Sequence, residues 1–446
     1  MRAILTAVCS MLVASAALGA PPKVVRAIPD NGDVNVDPNL TEIRITFNQP
    51  MDPGGRSIVG GGDSFPAITG DVRWVGGTTV VIPVKLEADH EYWLSINNEQ
   101  FRNFVNDRGE SAVPYPIRFV TAGADAKPTG TYADLAVNGA AADRLAELLS
   151  TAYSHRDRLG VDWAALIGEH KDELKGARNA DTFARIAGTL LAKAQDKHIW
   201  FQVGSRQIPT YMRPVPPNVN PPMLPKLVPN YERLSDSVAV GRWDDGIGYL
   251  SIDSWDGSNR EAVEKAYEAL GRLRDAGAII VDVRANGGGD ETLAQGFAGC
   301  FIDTPFVYAK NRYVDASAEG GFGAVLERTL EPNTSRPHFA GPVVVLSGPV
   351  VMSSCEAFVL MMKGAPRATV VGGRTQGSSG NPKAHDLGNG VTVWLPSWEA
   401  LTPDGEAFEG VGIEPDVEVE ASASELFAGD PVLTKGLEIA REKAGG

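Results

Sequence analysis

Residues 342–363 of the chain run PVVVLSGPVVMSSCEAFVLMMK. The apolar run Val343-Val344-Val345-Leu346 stops at Ser347-Gly348-Pro349, which reads as a core strand of an α/β sheet ended by turn residues. Ser353-Ser354-Cys355-Glu356 follows, and then apolar residues at helical spacing. The serines therefore belong on the turn that opens a helix, where free backbone N–H groups and the helix dipole favour negative charge. Serine at such a place has two readings, helix N-cap and nucleophile, and the stretch alone favours the cap.

Outward from this strand–turn–helix, the chain from Gly246 alternates strands and helices. Gly248-Tyr249-Leu250-Ser251-Ile252 reads as a strand, residues 258–274 as a helix and Ala278 to Arg284 as a second strand. Val391-Thr392-Val393-Trp394-Leu395 and a helix near 431–443 complete an α/β core over 241–446. Arg284-Ala285-Asn286-Gly287-Gly288-Gly289 leaves a buried strand, and its glycines let backbone N–H groups approach an oxyanion. Read locally it is also a plain tight turn. Glu409-Gly410-Val411-Gly412-Ile413-Glu414-Pro415-Asp416 sets a carboxylate beside a flexible turn; in isolation it reads as a solvated acidic loop.

Upstream, residues 21–123 alternate apolar and polar positions in short runs, among them Glu42 to Phe47, Thr79 to Ile82, Tyr92 to Ile96 and Ile117 to Thr121. Period-2 patterning between turn signals predicts a small antiparallel β-sandwich. Residues 130–202 switch to helical spacing and predict three short helices in a bundle, ending at Asp196-Lys197-His198. Eight prolines from Pro209 to Pro229 predict an extended linker over 203–240.

The chain has 446 residues, 43% of them hydrophobic and 22% charged, and a net charge of −15. That describes a multidomain globular protein and makes nucleic acid and anionic membrane poor partners. Residues 1–20 read as a secretory signal peptide cleaved near Gly19 or Ala20, so export to the periplasm or beyond is expected. No later stretch has membrane-spanning length. Cys300 and Cys355 are expected as buried thiols rather than a disulfide framework. No Cys/His cluster has zinc spacing and no phosphate-binding loop follows a strand, so neither metal nor cofactor is expected.

Four motifs in order resemble the C-terminal-processing (tail-specific) serine peptidases, a family that includes the tricorn protease core and the repeats of interphotoreceptor retinoid-binding protein. They are Gly248-Tyr249-Leu250, the run from Asp282 to Gly289, Ser353-Ser354-Cys355-Glu356, and Gly412-Ile413-Glu414-Pro415-Asp416. Ile28-Pro29-Asp30-Asn31-Gly32 with Phe47-Asn48-Gln49-Pro50-Met51 resembles bacterial Ig-like modules. The first resemblance implies a crotonase/ClpP-like core and peptide or protein substrates. It implies Ser353 as nucleophile, with an oxyanion hole from Ser354 and from Gly287 or Gly288. The tail-specific branch carries its lysine twenty-five positions after the serine, and Ser378 stands there. The tricorn-like branch implies His198 as base and Glu409 as its orienting carboxylate, with Lys383 and His385 as competing bases. The peptide-binding PDZ module of many members has no room in 205–245. The reading is a secreted serine peptidase working through an acyl-enzyme. Its alternative is a non-catalytic binding protein for an apolar ligand or a partner on the same fold.

Overall fold

The computed structural model describes residues 21–123, 134–177 and 179–445. The segment read as a signal peptide lies outside them. The chain divides into two compact units, residues 1–133 and 134–446.

In the first unit two sheets face each other. One orders Val24–Ile28, Glu42–Phe47, Thr79–Lys85 and Ala67–Ile68, with Arg73–Val75 also on Thr79–Lys85. The other orders Asp33–Val36, Tyr115–Thr121, Glu91–Ile96 and Ile58–Val59. Along Glu42–Phe47 every second residue is buried, and Ile43, Ile45 and Phe47 join Tyr92, Leu94, Ile96, Ile117 and Phe119 in one apolar cluster. Alternation in the sequence thus becomes two inner faces packed together.

The second unit is built on a seven-stranded sheet. Its order is Glu232–Arg233, Val238–Arg242, Ile247–Ile252, Ala278–Asp282, Val343–Ser347, Ala368–Gly372 and Val417–Glu418. The first two pairings are antiparallel and the rest parallel. Both faces are covered. Val343 and Val345 point to a cluster that includes Val263, Phe297 and Phe358, from three helices. Val344 and Leu346 point to the other face, against Val432, Leu433, Ile439 and Ala440 of the helix Pro431–Gly445. Two-sided burial is why this strand reads as a continuous apolar run.

Helices Asp134–Thr151, Trp163–Glu169, Lys171–Lys175 and Ala180–Leu191 make up the segment expected as a three-helix bundle. They do not close a core alone. Leu387, Val391, Val393 and Leu395 complete their cluster, because Trp200–Val203 pairs with Thr392–Pro396 in a four-stranded sheet. The expected strand at 391–395 therefore belongs to this sheet and not to the seven-stranded one.

Residues 203–240 are not a free linker. The prolines prevent long regular elements, yet Val219, Leu224 and Val228 are buried against the sheet. Asn218 fastens the strap: its Nδ2 donates to the Ser347 carbonyl at 2.9 Å, and its carbonyl accepts from Arg284 at 2.9 Å. Arg284, fully buried, also pairs with Asp282 at 2.7 Å and Asp430 at 2.8 Å. A buried guanidinium with two carboxylates ties strap, sheet and C-terminal helix together. Cys300 and Cys355 are both free and buried. No helix among the described residues is long and apolar enough to cross a membrane.

Candidate active site

The strand Val343–Ser347 delivers the chain to Ser353, which holds φ 57° and ψ −129° just before the helix Ser354–Gly364. A serine cap ordinarily has extended backbone and gives its side-chain oxygen to the first turn. Ser353 departs from the first of these, since its backbone is left-handed, and its own N–H reaches the Glu356 carboxylate at 3.3 Å as in a capping box. The Glu356 N–H goes to the Ser353 carbonyl at 2.9 Å. Such a backbone costs about 1–3 kcal/mol and persists only where its surroundings enforce it. A sharp strand-to-helix turn with a strained serine at its apex presents the hydroxyl outward.

The glycine loop after Ala278–Asp282 lies against this turn. A Cβ on Gly288, at φ +101°, would stand 2.8 Å from the Met352 carbonyl oxygen and 2.8 Å from the Ser353 Cβ. Only glycine permits that approach. The Gly288 N–H is spent on the Asn286 side chain at 2.9 Å. The N–H groups of Gly287 and Ser354 have no partner among the described residues. Of the two glycines expected as oxyanion donors, Gly287 is the one with its donor free.

Two buried carboxylates clamp a neighbouring loop. Glu356 accepts from the N–H groups of Gly377 at 2.7 Å and Ser378 at 2.9 Å, and from the Thr375 hydroxyl. Glu409 accepts from the Ser379 N–H at 2.7 Å. Three successive amides are thereby fixed. Gly377 makes the clamp fit: at φ +70° its hydrogen side faces the Gly412 N, which an added Cβ would meet at 2.4 Å. Asp416, last of the Gly412-Ile413-Glu414-Pro415-Asp416 motif, anchors the far end by accepting from the Val370 N–H at 2.8 Å.

Ser378, at the position where the tail-specific branch has lysine, joins the two halves of the site. Its carbonyl accepts from the Ser353 N–H at 2.8 Å. Its hydroxyl is 2.9 Å from Nδ1 of His198. His198 is buried, and its backbone N–H donates to the Asp196 carboxylate at 2.8 Å. Burial holds the imidazole below its ordinary pKa, with the neighbouring Asp196 opposing, so at neutral pH it is an uncharged base. In the tautomer whose Nδ1–H donates to Ser378, Nε2 keeps its lone pair.

Ser353 and His198 thus meet on opposite sides of Ser378, and no hydrogen bond joins them directly among the described residues. Glu409 makes no hydrogen bond to His198 among them either. Its carboxylate lies 3.8 Å from Nε2 of His155, which is 3.0 Å from the Ser379 carbonyl oxygen. Burial, with Asp196 nearby, pushes the Glu409 carboxyl well above its ordinary pKa. Asp196 and His155 belong to this buried group, and Tyr153 donates to Asp196 at 3.0 Å. The spacing Asp196-x-His198 is the one local signal for it. His155, Asp196 and Glu409 bring potential metal-ligating atoms within 4.8 Å of one another, yet hydrogen bonds already engage all three. Lys383 is exposed, and His385 lies half-buried on Pro382–Asp386; neither hydrogen-bonds to these groups among the described residues.

Comparisons with known proteins bear on this arrangement. Residues 246–419 match the model of peptidase family S41, and residues 19–121 match that of a bacterial Ig-like domain. The chain carries an S41 peptidase domain and an Ig-like domain. It is similar to the carboxy-terminal processing protease CtpB of Bacillus subtilis, 25% identical over 42% of this chain and 37% of that protein. It is also similar to the chloroplastic C-terminal processing peptidase of Tetradesmus obliquus, 24% identical over 39% and 35%. The chain spans little more than a third of the length of these curated relatives. Among solved structures, a Parabacteroides merdae protein assigned as a peptidase shares 23% identity, covering 68% of this chain and 96% of that one at a TM-score of 0.59. A CPAF mutant shares 12%, covering 70% and 98% at 0.51. These two bear on the fold alone.

Proposed function

We propose that the protein is an exported serine peptidase that cleaves peptide bonds through an acyl-enzyme on Ser353. The observation that carries this reading is the left-handed backbone of Ser353 with Gly288 packed against it. In the reaction the Ser353 Oγ attacks the scissile carbonyl carbon, and Nε2 of His198 takes the hydroxyl proton. The Ser354 and Gly287 N–H groups receive the developing oxyanion. The imidazolium then gives its proton to the leaving amine, and water, activated the same way, releases the acyl group. Glu409 serves as the third member of the set at one remove. It holds the Ser379 amide and so fixes Ser378, whose hydroxyl orients the imidazole. The core is read as crotonase/ClpP-like, and the Ig-like unit as a recruiting or spacing module.

A fluorophosphonate probe tests the reading. Labelling of the wild-type chain, lost in Ser353→Ala and in His198→Ala while both stay folded by circular dichroism, is expected. A folded wild-type protein that takes no label refutes it and favours the binding-protein alternative.

A further inference from the structure

The backbone groups of Ser378 and Ser379 are held from two sides. The Ser378 N–H goes to Glu356 at 2.9 Å, its carbonyl accepts from the Ser353 N–H at 2.8 Å, and the Ser379 N–H goes to Glu409 at 2.7 Å. Those partners lie within residues 353–409. The Ser379 carbonyl turns the other way, to Nε2 of His155 at 3.0 Å, 224 positions earlier in the chain. A carbonyl oxygen only accepts, so this Nε2 carries a proton and donates it. Burial holds the His155 imidazole below its ordinary pKa, with Asp196 opposing. The ring is therefore neutral and spends its N–H on this bond. The same Nε2 lies 3.8 Å from the Glu409 carboxylate, so the two side chains grip Ser379 together.

His155 stands on the turn 152–160, between the helices Asp134–Thr151 and Trp163–Glu169. The turn is itself fixed. The Ser154 N–H donates to the Pro396 carbonyl at 3.0 Å, and the Trp163 indole N–H to the Arg156 carbonyl at 2.9 Å. Other side chains of the turn reach the loop that carries His198. Tyr153 donates to Asp196 at 3.0 Å and Arg158 to the Gln195 carbonyl at 3.2 Å, while Asp196 accepts the His198 backbone N–H at 2.8 Å. One turn is thus bonded to both sides of the contact between Ser378 and His198, whose side chains meet at 2.9 Å. Packing alone does not call for a histidine here. A leucine would fill the same space without a buried N–H that must find an acceptor.

We propose that His155 is a positioning residue for the general base, acting through the Ser379 carbonyl to keep the Ser378 hydroxyl on Nδ1 of His198. The inference deepens the peptidase reading and rests on it for its purpose, and on the contacts for its geometry. Gly377 and Gly380 flank the two serines, so the segment has little stiffness of its own and hydrogen bonds must supply it. Without the His155 bond the Ser379 carbonyl is free to rotate, and Ser378 moves with it. A shift of about 1 Å there turns the imidazole away from Ser353, which is worth about a hundredfold in rate. His155 itself touches neither the peptide nor the reacting atoms.

The test compares replacements of similar size. His155→Gln keeps an N–H donor near the place of Nε2, and His155→Leu fills the space without one. The second-order constant for fluorophosphonate labelling is expected to fall about thirtyfold in His155→Leu and to return to within about threefold of wild type in His155→Gln. Equal losses in both overturn the proposal. A cycle with Ser378→Ala adds a readout that general destabilisation does not move. Both changes act through one contact, so the double variant should label no more than about threefold slower than the slower single one, and losses that multiply overturn the link. Imidazole NMR of the histidine-labelled chain reads the geometry without catalysis. In wild type, His155 should be the Nε2–H tautomer and His198 the Nδ1–H tautomer, and His155→Leu should remove the preference at His198. An Nδ1–H tautomer at His155 in wild type, or an unchanged His198 in His155→Leu, overturns the positioning. A chain that shows the expected tautomers and takes no label keeps the positioning and loses the peptidase reading.

Discussion

Gly288→Ala is the most demanding perturbation of this site, because one methyl group meets two fixed obstacles. At φ +101° an alanine is strained by about 1–2 kcal/mol. Its Cβ would also stand 2.8 Å from the Met352 carbonyl oxygen and 2.8 Å from Ser353 Cβ. Neither atom is the end of a flexible side chain, so the serine turn must move by some tenths of an ångström. Strain and displacement together predict a loss of about 2–4 kcal/mol, which for a unit of this size lowers Tm by about 5 °C. The larger effect falls on chemistry. A nucleophile displaced against its oxyanion donors loses about a hundredfold in rate, read as the second-order constant for fluorophosphonate labelling. Gly287→Ala is the matched control. Its φ is not positive and a Cβ there meets nothing within 4 Å, so its Tm should stay within about 1 °C. Wild-type labelling by Gly288→Ala, with normal stability, would refute the packing argument.

His198→Ala is expected to lower peptide hydrolysis by about a thousandfold, while His385→Ala stays near wild type; the reverse result removes His198 as base. Burial pushes the Glu356 carboxyl up to about 7 from 4.5, against four hydrogen bonds that favour the anion. The folded pKa exceeds the unfolded one, so the folded state holds an extra proton between those values and stability falls as pH rises from about 4.5 to 7, by on the order of 3 kcal/mol. Urea unfolding across that window should show the slope in wild type and a shallower one in Glu356→Gln, the remainder coming from Glu409, whose carboxyl is raised as well. Removing the buried Arg284 charge in Arg284→Leu strands Asp282 and Asp430 and should cost about 3–5 kcal/mol in the same assay. The thiols of Cys300 and Cys355 are pushed up to about 12 and beyond by burial, so neither should react with a thiol reagent until the protein unfolds.

The sequence was most informative where one short segment carries its own geometry. The double-sided burial of Val343–Leu346 is visible as an unbroken apolar run, and the glycines at 287–289 sit next to their strand in the chain. Sheet membership was not visible in the same way: Val391–Leu395 has the composition of a strand, but nothing local says that its partner is Trp200–Val203. The proline count from 209 to 229 correctly excluded long elements, yet irregular backbone can still be packed, as Val219 and Leu224 are. Within the site, the residues named by resemblance lie around one loop, but the hydrogen bonds among them are not those the resemblance implies. Ser378 marked only an absent lysine, and its hydroxyl on His198 depends on a contact across 180 positions. Glu409 reaches His155 and Ser379 because two buried acids divide the amides of one loop, an arrangement with no sequence period.

The shared sheet between the helical segment and residues 382–396 has a consequence for the newborn chain. The helices emerge from the ribosome some two hundred residues before the strand that seals their apolar face. Until that strand arrives, the helical segment leading to His198 lacks part of its apolar core. A chain broken off between residues 354 and 381 keeps Ser353 and lacks the strands that complete the apolar core of the helical segment. If the proposed function holds, a chain cut short in this way should fail to label with a fluorophosphonate.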